Sequence, residues 1–148
     1  MTNINIVPLQ EIEYDQWLNL WKNYQKFYQV NLSSEVNQNT WTKLTHPNFS
    51  SMYGFATLVD QKIVGIVHII EHESCWTLQP YAYLQDLFVD EHYRGLGIAK
   101  KLILTAEQQT QQRQCDRLYW LTHQDNVTAQ QLYDKIARKT GFIQYRLG

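Results

Sequence analysis

The sequence predicts a mixed α/β fold, in which a mostly antiparallel sheet carries helices on both faces. The first observation is a pair of apolar runs, residues 53–59 and 63–70, joined by a short polar turn that favours a hairpin. The second is a strand–helix–strand order in the second half of the chain. With 148 residues, 44% of them hydrophobic, the chain is expected to form one domain over residues 1–148.

The first half begins with a strand near residues 4–8 and a helix from about Tyr14 to Tyr28. Ser33 or Ser34 is suited to cap a second short helix, and residues 45–51 are typical of a loop. The hairpin strands follow. Along the first helix, one broad and unusually aromatic face is formed by Trp17, Leu20, Trp21, Tyr24, Phe27 and Tyr28.

The second half alternates strands with helices. A strand at residues 83–89 precedes a helix over about 97–112, because apolar residues recur there at helical spacing. A strand at 117–122, a helix over about 128–140 and a last strand at 142–146 complete the predicted order. These elements place a parallel strand pair beside the antiparallel hairpin.

A glycine-bearing loop joins the strand at 83–89 to the next helix and is the most informative segment of the chain. It runs from Tyr93 to Lys101 and contains two glycines beside basic residues. Glycines let backbone amides approach an anion, and the helix start adds unpaired N–H groups. The spacing lacks the Gly-Lys-Ser/Thr of a P-loop, and Lys100 stands where a dinucleotide fingerprint needs a third small residue.

Three motifs in this half resemble those of one family. Arg94-x-x-Gly97-x-Ala99 is similar to the Arg/Gln-x-x-Gly-x-Gly/Ala pyrophosphate loop of the GNAT superfamily of acetyl-CoA-dependent N-acetyltransferases. The segment from Asn126 to Tyr133 resembles the family's Asn-x-x-Ala-x-x-Leu-Tyr, and the pair at 141–142 resembles a third element. The chain is therefore similar to this superfamily, and most to the branch of fungal histone and D-amino-acid acetyltransferases and their small bacterial relatives.

The resemblance implies that the strands at 83–89 and 117–122 splay apart and that the pantetheine arm of acetyl-CoA lies between them. It also implies three groups of coenzyme-binding residues. They are the strand residues Leu87, Phe88 and Val89, the loop residues Arg94, Gly95, Leu96, Gly97, Ile98, Ala99 and Lys100, and the downstream residues Asn126, Ala129 and Tyr133.

Amide formation needs one group that takes a proton from the attacking amine and one that returns a proton to the leaving thiolate. Asp86 is the leading candidate for the first role, with Glu71 or Glu73 as alternates and a plain strand-edge ion pair as the competing interpretation. The resemblance assigns the second role to Tyr133, which otherwise would be a core tyrosine. Direct attack is favoured over an acyl-enzyme, because neither cysteine lies in a motif with a neighbouring histidine.

The acceptor is expected to be a primary amine of a small molecule, such as a polyamine, a diamine or an amino acid. Residues 1–90 hold nine acids and four Lys/Arg, while residues 91–148 hold five and nine, which suits a cationic acceptor and an anionic coenzyme. Aromatic faces favour cations. The candidate acceptor-binding residues are Trp17, Trp21, Tyr24, Tyr28, Glu71 and Glu73.

Other possibilities remain at this point. The aromatic stripe is also typical of a core or a subunit interface, and the five tryptophans indicate a homodimer or higher homo-oligomer. The activity is alternatively that of a protein-lysine or peptide N-acetyltransferase. A non-catalytic coenzyme-A-binding sensor is a further alternative.

Several classes of function are not favoured. The chain has no dense Lys/Arg cluster for nucleic acid, no apolar run near the roughly 20 residues that cross a bilayer, and no leader pattern at its start, so we expect a cytoplasmic protein. Cys75 and Cys115 stand far apart and indicate neither a disulfide framework nor a zinc site. His68 and His72 would meet as a metal pair only on a helix, whereas their surroundings favour a strand, so no metal is expected.

Overall fold

A computed structural model describes residues 3–148 and contains five strands and four α-helices within that range. Two short 3-10 helices, Leu9–Glu11 and Glu91–Tyr93, lie in the loops that connect these elements. The elements in chain order are β1 (Ile4–Pro8), α1 (Tyr14–Phe27), α2 (Ser34–Thr45), β2 (Met52–Val59), β3 (Lys62–His72), β4 (Tyr81–Val89), α3 (Ile98–Gln112), β5 (Arg117–Tyr119) and α4 (Val127–Ile136).

The five strands form one open sheet in the order β1-β2-β3-β4-β5. Every neighbouring pair is antiparallel except β4 and β5, which run parallel and are connected through α3. This arrangement confirms the predicted mixed, mostly antiparallel fold. It leaves β1 and β5 as the two edge strands.

The sheet buries apolar side chains on both faces. One face packs α3 against the sheet, with Leu102 and Ala106 completely buried over Val67 and Ile69. The other face packs α1 and α2, and there Trp17, Leu44 and Ile66 are almost fully buried. The nearly continuous apolar runs of β2 and β3 follow from burial on both faces.

Polar side chains define the starts of the first two helices. At α1, Glu13 and Gln16 form a reciprocal capping box. At α2, the side chain of Ser33 accepts a hydrogen bond from the Val36 N–H (3.2 Å), so Ser33 rather than Ser34 is the cap. The loop predicted after α2 is present from His46.

Two predicted elements of the C-terminal third are shorter than expected. The strand expected at 117–122 ends at Tyr119, because the chain then leaves β4. The helix expected to reach Thr140 ends at Ile136, since Ala137 is extended and residues 138–140 are exposed with no apolar side chain to bury.

The last strand, expected at residues 142–146, does not form. A strand needs a partner for its main-chain groups, and this segment has none within residues 3–148. Its apolar side chains point into solvent instead. Over the same described range, no helix combines the length and the apolar character that crossing a membrane requires.

Candidate active site

The strands β4 and β5 lie side by side for only three residues before they separate. Their pairing stops at Tyr83 and Tyr119, although β4 continues to Val89 along β3. Over residues 84–89, the main-chain groups on the β5 side of β4 therefore have no strand partner within the described chain. Such an opening offers hydrogen bonds to an extended ligand arm.

The loop after β4 has the backbone conformation that an anion site needs. Gly95 and Gly97 have φ values of +81° and +76°, in the left-handed region that favours glycine. Gly97 is also the N-cap of α3, and no side chain caps that helix. The N–H groups of the first turn and the positive end of the helix dipole thus face the loop.

Basic residues flank this uncapped helix start. Arg94 is exposed, its Nε–H donates to the Val89 carbonyl oxygen (3.3 Å), and its guanidinium lies 6.0 Å from the centre of the Phe88 ring. Lys100 is exposed in the first turn of α3. Both cations are therefore close to the N–H groups that would meet an anion.

Asp86 lies on β4 at the mouth of the opening and is held by a buried histidine. His68 is directly opposite Asp86 on β3, and its Nδ1 is 3.0 Å from Asp86 Oδ2. The other ring nitrogen, Nε2, accepts a hydrogen bond from the Trp17 indole N–H (3.0 Å). The side chain of His68 is 3% exposed and that of Asp86 is 14% exposed.

The partners of His68 fix which ring nitrogen carries the proton. An indole N–H only donates, so Nε2 must accept and carries no hydrogen. The proton of neutral His68 is then on Nδ1, where it donates to Asp86. Asp86 is thereby oriented by a neutral donor, and its negative charge is not cancelled by a cation.

Two tyrosines from the end of α1 complete the surroundings of Asp86. Burial above all, and then the Asp86 charge, raise the pKa of Tyr24 far above its ordinary value. Its hydroxyl therefore stays protonated near the carboxylate of Asp86. Tyr28, the C-cap of α1, packs edge-on against Tyr24, with the ring centres 5.0 Å apart.

Tyr133 lies on α4. Its ring packs edge-on against Trp120, with the ring centres 5.4 Å apart. Burial, followed by the nearby Tyr28, raises the pKa of Tyr133 above its ordinary value. Tyr28 is thus near both Tyr24 and Tyr133.

Asn126 defines the start of α4 beside this site. Its Oδ1 accepts a hydrogen bond from the Ala129 N–H (3.3 Å), which makes it the cap of the helix. The Nδ2 amino group has no hydrogen-bond partner among the described residues. It is thus available as a donor at the edge of the opening.

A family model described as Acetyltransferase (GNAT) family matches residues 9–137. The chain belongs to the GNAT family of acetyltransferases. It is therefore an acyltransferase, as the sequence predicted. The D-amino-acid N-acetyltransferase HPA3 of Saccharomyces cerevisiae is 29% identical over 149 residues, which cover 99% of this chain and 92% of that protein.

Two further comparisons concern a shorter segment and the fold. A ribosomal-protein-bS18 alanine N-acetyltransferase of Haemophilus ducreyi is 38% identical over 69 residues, covering 47% of this GNAT chain and 48% of the relative. The crystal structure of aminoglycoside N-acetyltransferase AAC(6')-Iy in complex with CoA superimposes with a TM-score of 0.85, covering 100% of this chain and 96% of the other. At 14% identity this likeness shows the fold.

The aromatic face of α1 divides between the core and a surface depression of this GNAT protein. Trp17 is completely buried and contacts His68, which in turn is hydrogen-bonded to Asp86. Tyr24 and Tyr28 line a depression of about 340 Å³ together with Trp21, which is 7% exposed. Apart from Gln25, the residues around this depression are aromatic or aliphatic.

The carboxylate of Glu71, considered above as an alternate base, is bound by side chains away from Asp86. It lies on the α3 side of the sheet, where Arg113 at the end of α3 and the Tyr53 hydroxyl both donate to its carboxylate. Burial would raise the pKa of Glu71, but the hydrogen bonds from Arg113 and Tyr53 outweigh it and hold that pKa below its ordinary value. Glu73 is exposed just after β3.

Metal-ligating side chains do not gather at the site. Within residues 3–148, no group of three or more His, Cys, Asp or Glu residues is arranged to hold a metal ion. His68 and His72 lie on a strand, as the sequence indicated. Cys75 is exposed and Cys115 half-buried, and both are free.

The sequence did not reveal the roles of His68 and Trp17 around Asp86. The pair is separated by 51 positions, and the contact depends on how α1 lies across β3. The available signal is a histidine among the valines and isoleucines of β3, because a buried imidazole needs partners. The identity of those partners needed the tertiary structure.

Proposed function

We propose that this protein transfers an acetyl group from acetyl-CoA to a primary amine of a small molecule by direct attack. The observation that carries the proposal is the uncapped start of α3 with left-handed Gly95 and Gly97, which opens beside the gap between β4 and β5. Asp86 lies on β4, one of the two strands beside that gap, and Tyr133 lies on α4.

The loop fits the diphosphate of the coenzyme. A Cβ atom built on either loop glycine would meet nothing within 4 Å, so the loop has open space in front of it. Main-chain N–H groups of residues 95–100 would bind the diphosphate oxygens, with Arg94 and Lys100 adding positive charge. Main-chain groups of Leu87 and Val89 on the open side of β4 would bind the amide-bearing arm. Acetyl-CoA supplies the activated acetyl group as a thioester.

The two titratable side chains have complementary roles. Asp86, held by the Nδ1–H of neutral His68, accepts the proton of the amine, directly or through one water. Tyr133, whose raised pKa keeps its hydroxyl protonated, donates a proton to the departing sulfur. Trp120 fixes the ring of Tyr133 by edge-on packing, and Asn126 donates to the arm from Nδ2.

Replacing Tyr133 by Phe is expected to lower kcat by about 10²-fold, because the proton donor is lost while the ring remains. The affinity for CoA should stay nearly unchanged. Since the pKa of Tyr133 is raised, the unaltered enzyme should lose no activity through ionisation of Tyr133 until the pH exceeds about 10. Steady-state kinetics and calorimetry with CoA measure both effects, and an unaltered kcat would remove Tyr133 from the mechanism.

The surroundings of Asp86 favour a cationic acceptor that has no carboxylate group of its own. Asp86 is next to His68 and Tyr24, and the depression that Tyr24 lines contains no Lys or Arg. A diamine or polyamine meets one carboxylate and aromatic faces there. An amino acid is the second candidate, because the yeast relative is named a D-amino-acid N-acetyltransferase.

Thiol release from acetyl-CoA tests the proposal with a panel of putrescine, spermidine, several D- and L-amino acids and a lysine-containing peptide. We expect release with the diamine and the polyamine. Release only with amino acids would select the second candidate, and release only with the peptide would make the protein a peptide acetyltransferase. Tight CoA binding without release in the presence of any amine would instead favour a sensor. The homo-oligomeric state and the cytoplasmic location remain predictions.

A further inference from the structure

Three side chains from three elements form a chain of hydrogen bonds that ends at Asp86. The indole N–H of Trp17 on α1 donates to Nε2 of His68 on β3 (3.0 Å), and His68 Nδ1 is 3.0 Å from Oδ2 of Asp86 on β4. Trp17 is completely buried and the side chain of His68 is 3% exposed, whereas that of Asp86 is 14% exposed. The two side chains behind Asp86 are thus shielded from water.

His68 can donate to Asp86 in two states, which differ in their effect on the carboxylate. As a neutral ring it donates from Nδ1 and leaves the carboxylate its full negative charge. As a doubly protonated ring it also donates from Nδ1, but its positive charge weakens the proton affinity of a carboxylate in contact with it. The two states differ by one proton on Nε2, the atom that accepts from Trp17.

The packing of Trp17 excludes the cationic state. An indole N–H only donates, so a proton on Nε2 would place two donors against each other. The Trp17 ring cannot move aside, because it packs among the rings of Tyr14, Trp21 and Trp41, at centre-to-centre distances of 5.9, 5.6 and 5.1 Å. A displaced indole would also leave a buried N–H without a partner.

The other elements packed around His68 bring no further charge to it. On α1 the neighbouring rings are neutral indoles, and on β2 the residue opposite is Gly54. Burial above all, and then the charge of Asp86, raise the pKa of Tyr24 and of Tyr83, so both hydroxyls stay protonated. Within the part of the chain that the structure describes, Asp86 is therefore the one charged group in contact with His68.

We propose that Trp17 is a positioning residue for acetyl transfer, whose indole N–H keeps His68 neutral so that Asp86 retains its full basicity. This inference rests on the assignment of Asp86 as the base in the proposed function. It also explains why the proton taken from the amine stays on Asp86, because both ring nitrogens of His68 are already in use. The aromatic packing of α1 thus serves the base as well as the core.

Heteronuclear NMR of the unaltered full chain tests the protonation of His68 directly. The imidazole signals that are absent from His68→Gln identify this residue among the five histidines. We expect a proton on Nδ1 and none on Nε2 between about pH 5.5 and about pH 8, a range in which an ordinary histidine takes up its second proton. In Trp17→Phe we expect Nε2 to gain a proton within this range. A protonated Nε2 in the unaltered protein would overturn the proposal.

The kinetic test compares Trp17→Phe with Trp41→Phe. Trp41 is a half-buried neighbour of Trp17, and both ring nitrogens of His68 have other partners, so the control loses the same volume without freeing Nε2. Relative to this control, kcat/KM of Trp17→Phe should be about 10-fold lower at about pH 5.5 and nearly equal at about pH 8, because the cationic form of His68 disappears as the pH rises. A ratio that does not change with pH would make Trp17 a purely structural residue.

His68→Gln shows whether Trp17 acts through His68. A glutamine can donate to Asp86 and accept from an indole, but it takes up no proton. Adding Trp17→Phe to His68→Gln should therefore introduce no new pH dependence, and a pH dependence that appears in the double variant would contradict the proposal. Absence of thiol release by the unaltered protein with every amine would instead overturn the proposed function, whereas the NMR measurement decides the state of His68 in either case.

Discussion

Replacing Asp86 by Asn is expected to lower kcat by about 10²- to 10⁴-fold, with CoA affinity nearly unchanged. Asparagine has nearly the same shape, and its Oδ1 can still accept the hydrogen bond from His68 Nδ1–H, so the fold should persist. What is lost is the basic carboxylate that takes the proton of the amine. Turnover at saturating acetyl-CoA with an amine that the unaltered enzyme accepts measures the effect.

The control for this substitution is Asp134→Asn. Asp134 is an exposed carboxylate on α4, next in sequence to Tyr133, and it makes no hydrogen bond within the described chain. The same change of charge there should leave kcat and KM unaltered. If Asp86→Asn turns over as fast as this control, Asp86 is not the base and its hydrogen bond to His68 serves the fold alone.

Gly97→Val is expected to raise the Kd for CoA about 10- to 100-fold while the protein stays folded. A β-branched residue does not adopt a φ of +76°, so the backbone must rotate and turn the N–H groups of the α3 start away from the loop. Each charge-assisted hydrogen bond lost to the diphosphate is worth roughly 1.5–3 kcal/mol. Calorimetry with CoA measures the affinity, and circular dichroism verifies the fold.

Gly141 provides the comparison for this glycine. A Cβ atom there also meets nothing within 4 Å, but the backbone of Gly141 does not lie in the left-handed region. Gly141→Val should therefore bind CoA like the unaltered protein. Normal affinity in Gly97→Val would contradict the assignment of the loop, and equal weakening in both variants would point to a general effect on the fold.

The fold and the loop could be predicted from the sequence because their signals are local. Glycine spacing at 95 and 97, the Ser33 cap and the apolar runs of β2 and β3 each depend on residues close together in the chain. The family could be recognised for the same reason, because each of its motifs is a short contiguous segment, and the family model confirms it.

The remaining features depend on residues far apart or on a missing neighbour. The contact of Trp17 with His68 needs α1 placed across the sheet, and the early end of β5 depends on where β4 diverges. The residues at 142–146 have the composition of a strand, but strand propensity alone cannot supply a pairing partner. The contact of Glu71 with Arg113 likewise depends on how α3 packs against β3.

The far end of α3 is fastened to the sheet. Arg113 ends this helix, donates to Glu71 of β3 and to the Ser50 carbonyl oxygen, and lies with its guanidinium 4.7 Å from the centre of the Tyr53 ring. Leu102 and Ala106 fix the middle of the same helix in the core. Because α3 is held at its C-terminal end and in its middle, the helix cannot rotate when a ligand binds at its N-terminus. Binding there therefore costs little conformational entropy.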